Sequence, residues 1–298
     1  GLASQQVYAI DTTAINEKWG KPTVVYGGGL NDQQIKETSQ LLGIKDENTV
    51  TTTKATGEDL VKYLGAGEAN TSVMISSVMV QKRNKGEGVK VHIATPKNIT
   101  LVTSEQYANA AITAGVADAE IEVAAVSKVT GESALTGVYK AFEANGVVLD
   151  GKRTAVAQQE LELTNQIAQE QSKEKGFDAA KLDQAMIDIK KSLAEIKEKQ
   201  GQVATKEDVE RIVNEALKKY GLDKVISPTQ VNNIIQFALS YQQTSAIDSK
   251  QVLEQLNSLS NTVKGKIGQL VDQANREGWL DKIVAFFKEI FNAIFSSK

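Results

Sequence analysis

The sequence predicts an α/β (α+β) N-terminal domain with a mixed sheet, followed by an all-α C-terminal helical region. Short β-rich runs alternate with helical runs as far as residue 146, which is typical of layered α/β domains. Beyond residue 150 the β pattern gives way to apolar residues at helical spacing. At 298 residues the chain is long enough for two domains.

The α/β head domain is expected over residues 10–150, and its first elements follow from β runs and helix caps. Residues 23–26 (TVVY) predict a strand that stops at three glycines. Asn31 is placed to cap the helix that follows, with a glutamine three residues later. Residues 50–53 (VTTT) predict a second strand, after which Thr56 caps a short helix.

Two longer β signals cover residues 72–80 and 89–95. The segment 83–88 (RNKGEG) between them contains the glycine and asparagine residues typical of a hairpin tip. A hairpin joins antiparallel strands, so it favours a mixed sheet over a purely parallel one. Residues 99–102 (ITLV) predict one more strand.

The last elements of the head are expected to be a helix, a strand and a second helix. Thr103 and Gln106 form a capping box for the first of these helices. Residues 119–126 alternate apolar and polar side chains and predict a strand. Residues 133–145 predict the second helix, which a glycine closes.

The helical region is expected to form a bundle or array over residues 151–276. Thr205 and Ser227 are N-cap signals, and a proline at the first helical position follows the serine. Two apolar stripes predict buried helix faces: Leu182, Met186, Ile189, Leu193 and Ile196 in one helix, and Val252, Leu256, Leu259, Val263, Ile267 and Leu270 in another.

Composition excludes several classes of site. The chain has no cysteine, which excludes disulfides and thiolate nucleophiles, and its single histidine excludes a multi-histidine metal centre. We therefore expect no metal site and no cofactor. The net charge of −3 and the pI of 5.5 are unlike the basic surface of a nucleic-acid-binding protein. No apolar run reaches the roughly 18 residues that a membrane span requires.

Residues 1–9 (GLASQQVYA) are interpreted as the remnant of an export signal or as a tag. Val7 and Ala9 flank Tyr8 in the small-x-small pattern that signal peptidase prefers, so Ile10 would begin the mature chain. An ordinary chain terminus stays open as the alternative. The export interpretation predicts a secreted, extracellular or cell-surface protein.

Residues 277–298 predict an amphipathic aromatic helix, because four of the seven phenylalanines lie there. Its apolar face must be buried in the helical bundle, against a second copy or on a membrane surface. The residues of this face, which we take as candidates for membrane or partner binding, are Trp279, Leu280, Ile283, Val284, Phe286, Phe287, Ile290, Phe291, Ile294 and Phe295.

Three groups in the head are weak candidates for chemistry, each with a structural alternative. They are Gly27, Gly28 and Gly29, then His92, and finally Glu120 and Glu122. The glycines occupy the place of a phosphate loop, but their spacing fits a tight turn better. The histidine could act as a base or be a surface residue. The glutamates could form an acid–base pair or hold a cation, or they could mark the solvated face of a sheet. No group forms a recognisable catalytic constellation.

Several segments match one protein family in order: residues 19–22 (WGKP), 25–30 (VYGGGL), 63–65 (YLG), 75–77 (ISS), 95–103 (TPKNITLVT), 107–110 (YANA), 113–116 (TAGV) and 129–142 (VTGESALTGVYKAF). Through them the stretch from residue 15 to residue 142 resembles the YpuA-like family of exported Firmicute proteins of unknown function. The resemblance implies export and an α/β head followed by helices. It brings no known activity, so no catalytic residue is carried over.

Three functional hypotheses remain open. The first is an exported, non-catalytic protein of the Gram-positive envelope or its surroundings, whose head binds a protein partner or an envelope component. The second is a membrane-active or membrane-tethered protein that acts through the C-terminal helix, with self-association as a further possibility. The third is an unrecognised hydrolase that uses acidic residues of the head. Nucleic acid is not an expected partner.

Overall fold

The computed structural model describes Ile10 and residues 19–270. They form an α/β domain with a mixed five-stranded sheet, followed by a helical region, as the sequence predicts. Two compact units divide the chain, the first ending at Asn165 and the second beginning at Gln166. The expected boundary at residue 150 lies at the start of a long helix, most of which belongs to the first unit.

The elements of the first unit are β1 (Thr23–Gly27), α1 (Asp32–Leu41), β2 (Thr51–Ala55), α2 (Gly57–Leu64), β3 (Ser77–Lys82), β4 (Val89–Ile93), α3 (Ser104–Ala114), β5 (Ala119–Ala124), α4 (Ala134–Ala144) and most of α5 (Gly151–Gln171). The predicted helix starts are confirmed. Asn31, Thr56 and Thr103 each accept a hydrogen bond from a first-turn backbone N–H, and each forms a capping box.

The strands lie in the order β2-β1-β3-β5-β4. β1 is parallel to β2, and β4 is parallel to β5. β3 runs antiparallel to both of its neighbours, β1 and β5, which makes the sheet mixed. Among the described residues the two edges of the sheet are therefore β2 and β4.

The predicted hairpin between β3 and β4 is wrong, because β5 lies between these strands. β5 is buried along nearly its whole length, whereas β4 is largely half-buried, so β5 takes the inner position and β4 the edge. Asp118, at the start of β5, accepts hydrogen bonds from the backbone N–H groups of Gly86 and Gly88 at 3.1 and 2.8 Å. These bonds hold the β3–β4 connection across the end of β5.

The predicted strand over residues 99–102 is also wrong, since this segment is irregular and follows a turn at residues 96–98. The backbone N–H of Ile99 donates to the carbonyl of Thr95 at 3.1 Å. Ile99 and Val102 are both buried, but at a spacing of three residues rather than in strand alternation. The first part of the predicted strand over residues 72–80 is a 3-10 turn, Thr71–Val73, that precedes β3.

Both faces of the sheet carry core residues. On one face Ile10 packs in a cluster with Val24, Tyr26, Met79 and Ala124 of the sheet, joined by residues of α1 and the loop after it. On the opposite face α4 contacts β1 and β3, and α3 contacts β4. A glycine lets α4 approach closely, because a Cβ atom at Gly137 would lie 2.9 Å from a methyl carbon of Val78.

The second unit contains the helices α6 (Ala179–Gln200), α7 (Lys206–Lys219), α8 (Pro228–Gln242) and α9 (Lys250–Leu270). α6 packs against the other three, and all five residues of its predicted apolar stripe are buried. The predicted caps Thr205 and Ser227 are confirmed, with a capping box at the serine.

Candidate functional site

The parallel pairing of β4 with β5 brings together the histidine and the glutamates among the weak candidates. His92 lies opposite Glu122 in the register, and Lys90 lies opposite Glu120. The Nδ1 atom of His92 is 3.5 Å from Oε1 of Glu122. Because residues two apart on a strand share a face, these four residues lie on one face of the sheet. It is the face on which Ile10 packs.

Glu122 is almost fully buried, with 4% of its surface exposed. Its carboxylate accepts a hydrogen bond from the backbone N–H of Ile10. Burial raises the pKa of Glu122 to about 7, the charge of Glu120 adds to the rise, and the bond from Ile10 opposes it. The solvated-face interpretation is wrong for Glu122, because its neighbours Ile10 and Met79 belong to the apolar cluster.

His92 is half-buried, and burial lowers its pKa. Desolvation therefore disfavours the charged form of both members of the pair, the imidazolium of His92 and the carboxylate of Glu122. The two side chains lie within ion-pair distance of each other. Such a pair can serve as an acid and a base, or it can have a structural role within the head.

Glu120 has a different partner from Glu122. Its Oε2 atom lies 2.5 Å from Nη2 of Arg83, and both side chains are half-buried. The backbone N–H of Arg83 donates to the carbonyl of Asp118 at 2.7 Å, so the arginine is fixed at the start of β5. The two glutamates thus lie in distinct electrostatic settings although they share one face of one strand.

The glycine run after β1 forms a tight turn against the protein's own backbone. The backbone N–H groups of Gly27, Gly28 and Gly29 donate to Ser77 Oγ at 3.0 Å, to the carbonyl of Ala55 at 2.7 Å and to the carbonyl of Met74 at 2.9 Å. A Cβ atom at Gly27 would lie 2.3 Å from that Met74 carbonyl oxygen. The backbone N–H groups that would bind a phosphate thus donate to acceptors within the head, which favours the turn interpretation.

The edge strand β2 is a feature that the sequence reasoning missed. The backbone N–H of Thr51 donates to the carbonyl of Pro22, and the carbonyl of Ala55 accepts from the N–H of Gly28. The backbone groups of Thr51 and Ala55 therefore face β1. In a parallel ladder alternate residues direct both backbone groups to the same side. Thr52 and Lys54 therefore direct theirs away from the sheet, and both residues are exposed.

On that outer side of β2 the carbonyl of Lys54 accepts a hydrogen bond from Nζ of Lys140 at 2.6 Å. The outer side thus presents the N–H and C=O of Thr52 and the N–H of Lys54. The signal in the sequence was the run of three threonines followed by lysine, which lacks the alternation of a half-buried strand.

A second polar cluster, within the second unit, surrounds Asp188 of α6. Oδ1 accepts from Nε2 of Gln184 at 2.7 Å, and Oδ2 accepts from the hydroxyl of Tyr220. Gln184 Nε2 also lies 3.0 Å from Oγ of Ser260. Burial raises the pKa of Asp188 to about 6, and the two donors oppose the rise. The sequence reasoning missed this cluster, whose signal is an acidic residue beside an apolar stripe.

The ten candidates in the predicted C-terminal helix, from Trp279 to Phe295, lie outside the described residues. Within residues 19–270, no helix is both long and apolar enough to cross a membrane. The same part of the chain holds no group of three acidic or histidine side chains placed to bind a metal ion.

Comparison with known proteins identifies one family. Residues 26–259 match the family model described as a protein of unknown function (DUF1002). The chain is also 30% identical, over 283 residues, to a protein of Bacillus subtilis (strain 168) described as the uncharacterized protein YpuA. That alignment covers 93% of this chain and 89% of the relative. No solved structure matches. The family match covers most of each unit, and the chain belongs to the DUF1002 family, as the YpuA-like resemblance implies.

Proposed function

We propose that this protein is an exported, non-catalytic component of the Gram-positive cell envelope or its surroundings. In this proposal the α/β head binds an extended segment of an envelope protein, which adds as a strand to the edge of the sheet at β2. The observation that carries the proposal is the outer backbone of Thr52 and Lys54, which faces away from the sheet.

The chemistry of β2 suits strand addition. An added strand gains affinity from backbone hydrogen bonds and specificity from alternate side chains. Three successive threonines favour the extended conformation before a partner arrives, because β-branched side chains restrict the backbone. Proteins usually protect an exposed edge with charges, proline or a covering element. Here the protection consists of the lysine at position 54 and of Lys140, whose Nζ donates to the outward carbonyl of Lys54.

Support for export comes from the sequence before Ile10. Val7 and Ala9 provide a signal-peptidase pattern immediately before Ile10, whose buried side chain already belongs to the head. The relative at 30% identity comes from Bacillus subtilis, a Firmicute, and bears only on the Gram-positive origin in the proposal.

Site-specific photo-crosslinking in intact cells tests the binding edge. The full chain carries a photo-reactive amino acid at Lys54, and a control protein carries it at Val148, which is 92% exposed. We expect an adduct with an envelope protein from position 54 and none from position 148. Adding Thr52→Pro removes one outward N–H at an edge that tolerates proline, and should reduce the adduct roughly tenfold or more. An adduct that persists in the proline variant would show that binding occurs elsewhere.

Membrane tethering is the second candidate function, favoured by the phenylalanine-rich sequence of residues 277–298. Flotation of the full chain with neutral phosphatidylcholine liposomes tests it. Replacing Phe287 and Phe291 by glutamate should abolish flotation and leave the α/β head folded. A wild-type chain that stays monomeric and ignores liposomes would rule the tether out.

The hydrolase hypothesis draws its support from the buried Glu122 beside His92. Digestion of purified cell-wall sacculi by the full chain tests it, with Glu122→Gln as the inactive variant. Our proposal of a non-catalytic head predicts no soluble fragments from either protein. Fragments released by the wild type alone would favour hydrolysis.

A further inference from the structure

Ile10 is held at a fixed position on the sheet. Its side chain is 6% exposed and packs with Val24, Tyr26, Met79 and Ala124. Met79 is the register partner of Glu122 on the neighbouring strand. The apolar packing of Ile10 therefore places its backbone nitrogen beside the buried carboxylate, to which its N–H donates.

The carboxylate of Glu122 has little charge compensation among the described residues around it. His92 Nδ1 lies 3.5 Å away, but burial lowers the pKa of the imidazole. Arg83 is bonded to Glu120, and Lys90 lies opposite Glu120 rather than Glu122. A buried carboxylate is costly unless it is paired with a charge, so this position calls for a cation.

We infer that Glu122 is the receptor for the α-ammonium group of Ile10, which forms when the chain is cleaved between Ala9 and Ile10. This inference rests on the proposed export of the protein. Water adds across the peptide bond, so that Ala9 leaves with a new carboxylate and Ile10 retains an amine that takes up a proton. The neutral N–H that donates to Glu122 becomes a cation at the same place.

Cleavage then completes the head. A hydrogen bond from a charged donor replaces one from a neutral donor, and the buried charge of Glu122 is balanced. The processed chain is thereby more stable than the precursor, because a longer chain has its ammonium group displaced from Glu122. The ion pair couples removal of the leader to the final stability of the sheet face that holds Ile10.

The stability of two full chains that differ by one residue tests this ion pair. One begins at Ile10 and the other at Ala9, each released from a removable fusion partner. We expect the melting temperature of the head to be higher by about 4 °C or more in the chain that begins at Ile10. The difference should vanish in Glu122→Gln and persist in Glu120→Gln, a matched change on the same strand. Equal melting temperatures, or a difference that survives Glu122→Gln, would overturn the inference.

Acetylation of the N-terminal amine gives a second measurement that needs no substitution. Pairing with Glu122 raises the pKa of the amine, so less of it is in the reactive neutral form. We expect acetylation at pH 7 at least about tenfold slower for the chain that begins at Ile10 than for the chain that begins at Ala9. Equal rates contradict the pair. Both measurements are independent of whether cells export the protein, so failure of the ion pair and failure of export are distinguishable.

Discussion

Replacing Glu122 by glutamine should stabilise the unprocessed chain at alkaline pH. Glu122 is buried, and its pKa is raised from 4.5 to about 7 in the folded head. The folded state therefore holds this proton more tightly than the unfolded state. The free energy of unfolding therefore falls as the pH rises from about 4.5 to 7, and above pH 7 this group causes no further change. Glutamine resembles the neutral acid and cannot ionise, so it avoids this loss.

The size of the effect follows from the pKa. Each tenfold change in proton affinity corresponds to about 1.4 kcal/mol. The rise from 4.5 to about 7 thus sets an upper limit of about 3 kcal/mol on the loss at pH 8. At pH 4 to 5 the wild type and Glu122→Gln should differ little, since Glu122 is protonated in the folded state. At pH 8 the variant should be more stable by about 1 to 3 kcal/mol.

Urea unfolding of residues 1–298 at pH 5 and pH 8 provides the assay. The fluorescence of Trp19 reports on the head, because its ring packs edge-on against Phe142 at 4.9 Å between centroids. A Trp279→Phe background removes the other tryptophan. The lowered pKa of His92 makes the head more stable as the pH rises, which opposes the effect of Glu122. A His92→Gln background removes this contribution.

A variant that is equal to the wild type or less stable at pH 8 would refute this reasoning. In the chain that begins at Ile10, the inferred ion pair reverses the sign of the stability change expected for Glu122→Gln. There Glu122→Gln removes the partner of the ammonium group and should destabilise the head.

Three other substitutions test the structure of the two units. Gly137→Ala should destabilise the head although alanine favours helices, because its Cβ would lie 2.9 Å from a buried valine methyl. A Cβ atom at Gly265 would have no atom within 4 Å, so Gly265→Ala should raise the free energy of unfolding by about 0.5–1 kcal/mol. Melting temperatures that shift in the same direction in the two glycine variants would contradict this pair of predictions. Tyr220→Phe should lower the free energy of unfolding by about 1–3 kcal/mol at pH 8. Urea unfolding should show a smaller loss at pH 5, because the pKa of about 6 leaves Asp188 largely neutral there. Equal losses at pH 5 and pH 8 would contradict a hydrogen bond from Tyr220 to a charged Asp188.

Local structure was predictable from sequence because its determinants are close together in the chain. A capping box needs residues three positions apart, and Asn31, Thr56, Thr103 and Ser227 all form one. The apolar stripe of α6 likewise needs only its own spacing. These signals do not depend on distant parts of the chain.

Strand order was not predictable, because it depends on residues far apart in sequence. Asp118 binds the segment around Gly86, about thirty residues earlier, and this contact accompanies the insertion of β5 between β3 and β4. The glycines that suggested a hairpin tip instead serve this connection. The sheet is mixed because β3 is antiparallel to β1 and β5, and not because of a β3–β4 hairpin.

The candidate site shows the same division. His92 and Glu122 could be chosen as chemically interesting residues from the sequence, but their contact exists only because β4 pairs with β5. The bond from Ile10 to Glu122 could not be anticipated, since it joins one end of the head to an inner strand. The edge position of β2 is likewise a property of the whole sheet.

The most direct test of the account is the N-terminal residue and the cell fraction of the native protein. N-terminal sequencing of the protein recovered from culture medium, cell wall and cytoplasm would measure both. Export with processing at Ala9 predicts Ile10 as the first residue and recovery from the medium or the wall. Recovery from the cytoplasm, with residues 1–9 still attached, would contradict it.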